Sequence, residues 1–428
     1  ALIMELFIFI GLFLCIASGL PVFMSLAAVS FAVIFLYSDI PLDILPQRMF
    51  AGVEGFSLLA IPFFMLASNI MSQGGITRSL IRLAETLVGH LPGGLAICTV
   101  LTSLFFAAIT GSSASSVVAV GAVMYPALVQ AGYGQNFSLG LVSCSALLGM
   151  IVPPSSAMII YGSVSGASIG ALFMSGIGAG IVFAGNYMVY SYFYAKQNQI
   201  VLLPKASLKE IADAAKDAAL GLGFPFIILG GIYSGIFTPT ESAAVSVGYA
   251  MMVTIFFTKT LSIRETWLIG IETSRVTARI LIMVASATLF SWMLTIQGVT
   301  QGIAQSVIQL NPPPWAVLLF GNMLMLAAGM FIDVFSNILI VCPLLMPLVE
   351  AAGVSKLHYG IVTAVNSDMG NITPPFGLII FIAAGAFHKS YLTTLKAILP
   401  FFFIAIISLL IITYIPGISL FLPGLLYS

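Results

Sequence analysis

Charged residues are rare in this sequence. Asp, Glu, Lys and Arg make up 7% of its 428 residues and hydrophobic residues make up 60%, whereas soluble domains contain roughly 25% charged residues. This balance excludes a soluble globular protein and predicts a helical protein that crosses a lipid bilayer several times. The apolar runs are continuous rather than alternating, which argues against a membrane β-barrel. The formal net charge is zero, so the composition implies no nucleic-acid partner.

Cysteine is also scarce and its pattern carries no chemistry. The four cysteines are widely separated in apolar stretches, at Cys15, Cys98, Cys144 and Cys342. Because no Cys-x-x-Cys pair exists, the sequence predicts neither a disulfide framework nor a metal cluster. A basic segment followed by a small-residue cleavage site is lacking at the start, so the first apolar run is expected to be a membrane span.

Long apolar runs set the expected number of spans, since about 20 residues cross a bilayer. Two longer segments, 94–131 and 314–350, carry polar residues at their centres and are predicted to be re-entrant helical hairpins. Charged stretches at 41–55, 77–90, 203–217 and 261–275 are predicted to be interfacial helices. Ten spans are expected, near 3–18, 21–37, 56–73, 137–168, 170–194, 218–236, 240–258, 276–295, 357–386 and 397–415.

The Lys and Arg residues predict the orientation, because they concentrate on the cytoplasmic side of membranes. With both termini outside, twelve of the fourteen Lys and Arg residues are cytoplasmic. Only Arg48 and Lys356 are left outside. In this arrangement the hairpin 94–131 enters from the cytoplasm and the hairpin 314–350 enters from the opposite side.

Two Pro-Pro pairs break spans at corresponding positions. Gly149-Met-Ile-Val-Pro153-Pro154 and Gly370-Asn-Ile-Thr-Pro374-Pro375 lie 221 positions apart, and so do Pro126 and Pro347. Adjacent prolines remove two amide donors and cannot continue a regular helix. Such breaks survive at membrane depth only where the freed backbone lines a cavity. The offset predicts an inverted-topology repeat, 1–217 and 218–428, of the kind found in secondary transporters.

The first hairpin has a cluster of hydroxyl groups at its predicted tip, between Thr110 and Ser116. One interpretation is close helix packing, which small polar residues mediate in membranes. A dehydrated cation such as sodium is the alternative, because hydroxyl and carbonyl oxygens can replace its hydration shell. In the second hairpin the offset places Asp333, Ser336 and Asn337 at the positions of Ser112, Ser115 and Ser116.

Acidic residues inside the predicted spans are few. Asp333 and Asp368 are the two deep ones, and an intramembrane acid is a functional candidate by default. Either carboxylate could instead be satisfied at a helix terminus. An aspartyl protease is disfavoured because the repeat places Ser112 and Leu147 at the equivalent positions. Glu241 closes Thr238-Pro-Thr-Glu, which predicts a helix-capping box rather than a site.

The predicted hairpin turns and helix breaks contain no histidine for protease catalysis and no basic residue for binding an anion. His90, His358 and His388 fall in predicted loops or at span ends, which disfavours an intramembrane serine protease. No Lys, Arg or His lies in the central turns of the hairpins or in the breaks. We therefore expect an anionic substrate to be held by bound cations, hydroxyls and the half-helix N-termini at Ser155-Ser156 and Phe376-Gly377. The residues predicted to contact substrate are Ser113, Pro154, Ser155, Ser156, Pro375, Phe376 and Gly377.

Three stretches resemble a known family. Gly149 to Ile160, Leu59 to Phe64 and especially Leu229-Gly-Gly-Ile-Tyr-Ser-Gly-Ile-Phe-Thr-Pro-Thr-Glu-Ser-Ala-Ala244 are similar to the large membrane subunit of tripartite ATP-independent periplasmic (TRAP) transporters. The resemblance covers the whole chain. It implies an elevator fold like that of the ion-transporter superfamily, in a bacterial inner membrane. The Lys and Arg distribution then predicts that both termini are periplasmic.

The resemblance also implies cofactors and partners. At least two sodium ions are expected to drive uptake of an organic acid anion, such as sialic acid or a C4-dicarboxylate. A periplasmic binding protein would deliver the anion, and a separate four-helix membrane subunit would accompany this chain. The moving part is expected to comprise 94–168 and 314–386, with the remainder as scaffold. An ion or organic-anion channel is the alternative.

Sodium sites in that family lie between each hairpin tip and the facing helix break. Asp368 is assigned to a possible further cation. The first site maps to Thr110, Gly111, Ser112, Ser115, Ser116, Gly149, Val152 and Pro153. The second site maps to Ile332, Asp333, Ser336, Asn337, Gly370, Asn371 and Thr373.

Overall fold

A computed structural model describes residues 2–200, 202, 204–302, 305 and 312–426, without the side chains of Leu2 and Ile3. Within these ranges the regular structure is entirely helical. Eight helices are long and apolar enough to cross a bilayer, or nine if the bent pair Gln135–Ile151 and Ser156–Ser165 is one span. The predicted all-α polytopic membrane fold is confirmed.

Helices of the first half run without long interruptions. A short 3-10 turn, Phe56–Leu59, leads into the fourth of them. In order they are α1 Leu2–Ala17, α2 Val22–Tyr37, α3 Ile44–Ala51, α4 Ala60–Gln73, α5 Thr77–Val88, α6 Gly94–Thr110, α7 Ser113–Gln130, α8 Gln135–Ser145, α9 Leu148–Ile151, α10 Ser156–Ser165 and α11 Ile169–Gln197.

The second half contains two unusually long helices and a turn of π-helix, Met252–Phe257. Its α-helices are α12 Leu208–Tyr233, α13 Pro239–Met251, α14 Ile263–Ile296, α15 Pro314–Gly329, α16 Val334–Ala351, α17 Lys356–Gly370, α18 Leu378–Ala386, α19 Tyr391–Tyr414 and α20 Gly417–Leu426. The helix Gly417–Leu426 was not among the predicted elements.

Two predicted interfacial helices are wrong as separate elements. The stretch 261–275 and the span 276–295 form one 34-residue helix, Ile263–Ile296, and 203–217 merges similarly with the next span in Leu208–Tyr233. Charge marked the expected boundaries, but no proline interrupts the backbone there, so the helices continue. A 34-residue helix is about 51 Å long, which exceeds a hydrocarbon core of about 30 Å.

The first two predicted spans are helices of only 16 residues, Leu2–Ala17 and Val22–Tyr37. They pack against each other, and α2 also packs along α14. The predicted cap of α13 is confirmed, since the Thr238 amide donates to the Glu241 carboxylate at 2.8 Å and the Glu241 amide donates back to the Thr238 hydroxyl at 3.3 Å.

Both predicted hairpins are present as pairs of packed helices, α6 with α7 and α15 with α16. The second helix of each pair starts with a side-chain cap. Ser112 accepts from the Ser115 amide at 3.4 Å, and Asp333 accepts from the Phe335 amide at 3.0 Å. Helices α7 and α16 both cover 18 residues, 221 positions apart. The re-entrant course of the hairpins and the inverted repeat stay predictions.

Both Pro-Pro pairs interrupt helices as predicted, and both contain a cis peptide bond. In the first, helix α9 ends at Ile151 and helix α10 begins at Ser156 after a bend of 40°. In the second, helix α17 ends at Gly370 and helix α18 begins at Leu378. The first break lies in the interior of the protein, where Pro153 and Pro154 are buried, whereas the second runs from the buried Thr373 to the exposed Pro375 and Phe376.

Candidate functional site

The first hairpin tip touches the first helix break at two glycines. Gly111 has a left-handed backbone with φ of 56°, and its Cα faces the carbonyl of Pro154. A Cβ added to Gly149 would lie 2.6 Å from the carbonyl carbon of Ser112 and 2.7 Å from its oxygen. Backbone of the tip and backbone of the break therefore approach so closely that a side chain at Gly149 would force them apart.

The hydroxyl groups of this tip bond mainly to one another and to nearby backbone. Ser115 donates to the Ser112 hydroxyl at 3.3 Å, and Ser116 donates to the Ser112 carbonyl at 3.0 Å. Thr110 donates to the Phe106 carbonyl at 3.1 Å. Three serines predicted for the first sodium site thus hold their oxygens within one small cluster.

The second tip meets the second break through glycine backbone. A Cβ on Gly370 would lie 2.6 Å from the Cα of Gly329 and 2.8 Å from its carbonyl oxygen. Asn337, which is fully buried, points its Nδ2 toward the same place and donates to the Met325 carbonyl at 2.9 Å. Its Oδ1 has no hydrogen-bond partner among the described residues. The sequence did not predict Gly329 as part of the site. The feature that could have indicated it is its position at the end of the hairpin's first helix.

Asp333 serves as the N-cap of helix α16 and is tied to Ser336. Its carboxylate accepts from the Phe335 amide, the Ser336 amide and the Ser336 hydroxyl. The Ser336 hydroxyl also lies 2.8 Å from the sulfur of Met283 on helix α14. Within the predicted second site, Asp333 and Ser336 form one pair, whereas Asn337 and Gly370 converge separately on Gly329.

Asp368 is fully buried shortly before the second break, in the last turn of helix α17. The Ser113 hydroxyl donates to its Oδ2 at 2.8 Å, and the Asn371 amide donates to its Oδ1 at 3.0 Å. Ser113 belongs to the first hairpin and Asn371 to the second break. This carboxylate therefore joins the two halves of the chain.

Both hairpin tips face one cavity of about 400 Å³. Predicted site residues from both halves line it, namely Thr110, Gly111, Ser112, Ser113, Ser115, Ser156, Asp333 and Asn371. The opposite wall is formed by helices α4 and α14 and contains Met65, Ser68, Asn69, Gln73, Glu272 and Val276. A volume of this size suits a small organic molecule.

The sequence did not predict the wall residues as part of a site. The Ser68 hydroxyl donates to the Thr110 carbonyl at 2.6 Å, which ties helix α4 to the first tip. The Asn69 amide donates to the Thr273 hydroxyl at 2.9 Å and links the two wall helices. Polar residues within apolar spans were the available signal, and Glu272 was hidden because 261–275 was expected at the membrane surface.

Several predicted substrate residues lie away from this cavity. Ser155 is fully buried and caps helix α10, donating to the Met150 carbonyl at 2.5 Å. Phe376 and Gly377 line a neighbouring cavity of about 270 Å³, which shares Asp333 and Asn371 with the larger one. Pro375 accepts from the Tyr391 hydroxyl at 2.6 Å through its carbonyl. Of the predicted substrate residues, Ser113 and Ser156 reach the larger cavity.

The larger cavity is acidic. Its described lining contains the carboxylates of Asp333 and Glu272 and no Lys, Arg or His. In the described part of the chain the ion pairs are Arg82 with Asp217 and Lys356 with Glu350, both half-exposed and distant from the tips in sequence. His358 lies at a span end as expected, in the first turn of helix α17, where it is buried and bonded to the Ser419 hydroxyl at 2.7 Å.

Comparison with known proteins agrees with this architecture. The family described as "Tripartite ATP-independent periplasmic transporter, DctM component" matches residues 9–418. The C4-dicarboxylate TRAP transporter large permease protein DctM of Rhodobacter capsulatus is 34% identical, over 99% of this chain and all of that protein. The sialic acid TRAP transporter large permease protein SiaM of Vibrio cholerae is 35% identical, over 95% of this chain and 96% of that protein.

Among solved structures, the YdaH transporter of Alcanivorax borkumensis has a similar fold. The TM-score is 0.63 at 15% sequence identity, and the match covers 90% of each chain. At that identity the likeness concerns the fold alone. The family match and the full-length relatives decide the identity: this chain belongs to the DctM component family of TRAP transporters and is a transporter permease subunit rather than an enzyme.

Proposed function

We propose that this subunit carries out sodium-coupled uptake of an organic acid anion across a bacterial inner membrane, with both termini in the periplasm. One observation carries the proposal: two oxygen-rich hairpin tips, one from each half, face the same cavity, and each tip lies against a helix break. Broken helices at the centre of a transporter present carbonyl oxygens and helix ends to coupling ions and substrate.

The donors at the two tips are suited to sodium. Hydroxyl and backbone carbonyl oxygens cluster at Ser112 to Ser116 in the first tip, without a basic side chain among the described lining residues. In the second tip the fully buried Oδ1 of Asn337 has no hydrogen-bond partner in the described part of the chain and is available as a ligand oxygen. A buried polar atom without a hydrogen bond is costly, and a bound cation would satisfy it.

An acidic cavity would repel an anion unless cations bind with it. Asp333 and Glu272 supply negative charge, and two sodium ions at the tips would offset it. Sodium binding therefore precedes or accompanies substrate binding in this proposal. The two relatives reported above are named for a C4-dicarboxylate and for sialic acid, which supports an organic acid anion as the substrate.

Partners follow from the family's tripartite description. We propose a periplasmic binding protein that hands the anion to this subunit, and a separate small membrane subunit of four helices. The isethionate TRAP transporter permease protein DctMQ of Oleidesulfovibrio alaskensis is 36% identical over 98% of this chain, and the match covers 66% of that longer protein. The additional length leaves room for a second component in the same chain, which supports a two-subunit membrane part here.

An elevator movement suits the position of the cavity. It lies between the proposed moving part, 94–168 and 314–386, and the proposed scaffold helices α4 and α14. Displacement of the moving part along these two helices would carry both tips and their ligands together. Further along helix α14, Ser163 of the moving part shares a crevice of about 420 Å³ with Ser57 and Thr288 of the scaffold.

Uptake into proteoliposomes tests the function. The permease is reconstituted with its small subunit, and the loaded binding protein is added outside. We expect saturable uptake that depends on an imposed inward sodium gradient and is lost when potassium or lithium replaces sodium. Uptake without a sodium gradient that fails to saturate would indicate a channel and overturn the proposal.

A further inference from the structure

A single hydrogen-bonded bridge joins the two halves next to both predicted sodium sites. The Ser113 hydroxyl and the Asp368 carboxylate are 2.8 Å apart, although 255 positions separate them in the chain. Both side chains are almost completely buried, with exposed fractions of 1% and 0%. Asp368 also accepts from Asn371 at 3.0 Å, so one carboxylate holds a residue from each half.

Of the two residues held by this carboxylate, Asn371 is itself a predicted ligand of the second sodium site, and Ser113 adjoins predicted ligands of the first. Ser113 follows Ser112, whose carbonyl lies against Gly149 of the first break. Asn371 follows Gly370, whose Cα lies against Gly329 of the second tip. Ser113 and Asn371 both also line the cavity of about 400 Å³ between the two hairpin tips. A displacement of either tip would therefore be transmitted to the other through the hydrogen bonds of Asp368.

The bridge is stiff for an electrostatic reason. Asp368 forms no ion pair with any described Lys, Arg or His, so its two hydrogen bonds carry the stabilisation of a buried acid. Removing a partner from a buried carboxylate leaves an unsatisfied polar group, which costs more than the hydrogen bond itself gains. Ser113 and Asn371 are thus held together more strongly than two neighbouring polar side chains in water would be.

We infer that the Ser113–Asp368–Asn371 bridge couples the two predicted sodium sites, so that sodium at one site favours sodium binding at the other. Asp368 acts here as a positioning residue. The inference rests on the proposed function, because it requires two sodium sites. Coupling between sites commonly changes affinity about five- to 150-fold.

Sodium-dependent thermal unfolding of the purified full chain tests the bridge without transport. Sodium chloride is titrated against choline chloride at constant ionic strength. For the wild type we expect a sigmoidal stabilisation with a Hill coefficient approaching two. Ser113→Ala should lower the Hill coefficient to about one and raise the half-saturating sodium concentration about fivefold or more. Asp368→Asn combined with Ser113→Ala should add little to either change, since both remove the same interaction.

Ser103→Ala is the matched control. Ser103 lies in the same hairpin, is also 1% exposed, and its hydroxyl is 3.1 Å from that of Ser145 in the same half. This variant should keep wild-type cooperativity. Equal loss of cooperativity in both serine variants, or unchanged cooperativity in Ser113→Ala, would overturn the bridge while sodium binding stands. A wild type without any sodium-dependent stabilisation would overturn the proposed coupling ion and the bridge together.

Discussion

Gly370 provides a sharp test of the second predicted sodium site. In the structure its Cα packs on the backbone of Gly329, and a Cβ would lie 2.6 Å from the Gly329 Cα and 2.8 Å from the Gly329 oxygen. Carbon atoms in contact prefer about 3.5–4.0 Å. Gly370→Ala would therefore push the second tip and the second break apart by about 1 Å, because neither partner is a flexible side chain.

The expected size of the effect follows from overpacking. Inserting a methyl group into a tightly packed interior costs about 1–3 kcal/mol, and a factor of ten in an equilibrium corresponds to about 1.4 kcal/mol. If the strain is relieved by opening the site, the half-saturating sodium concentration for uptake should rise about five- to 150-fold. Membrane insertion should stay normal, because the change lies inside the protein and adds no charge.

Controls separate this strain from a general effect of glycine replacement. Gly385, in helix α18 of the same half, would have nothing within 4 Å of an added Cβ, so Gly385→Ala should transport as the wild type does. Gly329→Ala should have a smaller effect than Gly370→Ala, since its Cβ would lie 3.0 Å from the nearest backbone atom. Gly149→Ala is the corresponding change at the first site, with 2.6 Å to the Ser112 carbonyl carbon.

The assay is sodium-dependent uptake in proteoliposomes, with sodium-dependent thermal stabilisation of the purified protein as a second measurement. A Gly370→Ala protein that inserts normally and keeps wild-type sodium dependence in both measurements would falsify the second site as described. The expected order of effects in the second half, Gly370→Ala largest, Gly329→Ala smaller and Gly385→Ala none, is as informative as the size of any one change.

Four further outcomes are expected. Asp333→Asn keeps the cap of helix α16 but loses the charge at the cavity, so uptake should fall strongly with normal membrane insertion; wild-type uptake would make Asp333 structural. Ser115→Ala or Ser336→Ala should raise the sodium requirement for uptake, and two variants with unaltered sodium dependence would contradict the two-site assignment. With two sodium ions and a monoanion, an inside-negative potential should stimulate uptake, because each charge gains about 2.3 kcal/mol per 100 mV; insensitivity to potential would exclude this stoichiometry. A disulfide between Ser163→Cys and Ser57→Cys, in a background without the native cysteines, should stop uptake and preserve sodium binding, whereas continued turnover would contradict the elevator.

The sequence predicted where some helices start and end, because helix termination depends on residues that are adjacent in the chain. Pro153-Pro154 and Pro374-Pro375 remove backbone donors wherever they occur, and both pairs end helices in the structure. Thr238 and Glu241 formed the predicted capping box for the same reason. The 221-residue offset found in the sequence also recurs in the starts of helices α7 and α16, at Ser113 and Val334.

Of the four interfacial helices predicted from charge, 41–55 and 77–90 do contain separate helices, α3 Ile44–Ala51 and α5 Thr77–Val88, whereas the boundaries predicted at the ends of 203–217 and 261–275 are wrong. A helix does not end merely because its side chains change from apolar to polar, since its backbone hydrogen bonds form with either kind of side chain. The charged stretch 261–275 therefore continues into the span as helix α14, and this brings Glu272 to the cavity wall. The sequence could not predict that Glu272 belongs to the site, because the stretch around it was expected to be a helix at the membrane surface.

The sequence by itself determined the membrane class, the helix breaks, the helix pairs at 94–131 and 314–350 and the hydroxyl and acidic residues between the paired helices, because each depends on composition or on residues close together in the chain. Only the tertiary structure decided which of those residues meet. The contact of Gly370 with Gly329, the wall formed by Asn69 and Glu272, and the bond between Ser113 and Asp368 all join segments distant in sequence. Helix packing sets such contacts through the shape of whole interfaces, and no short pattern of residues records that shape.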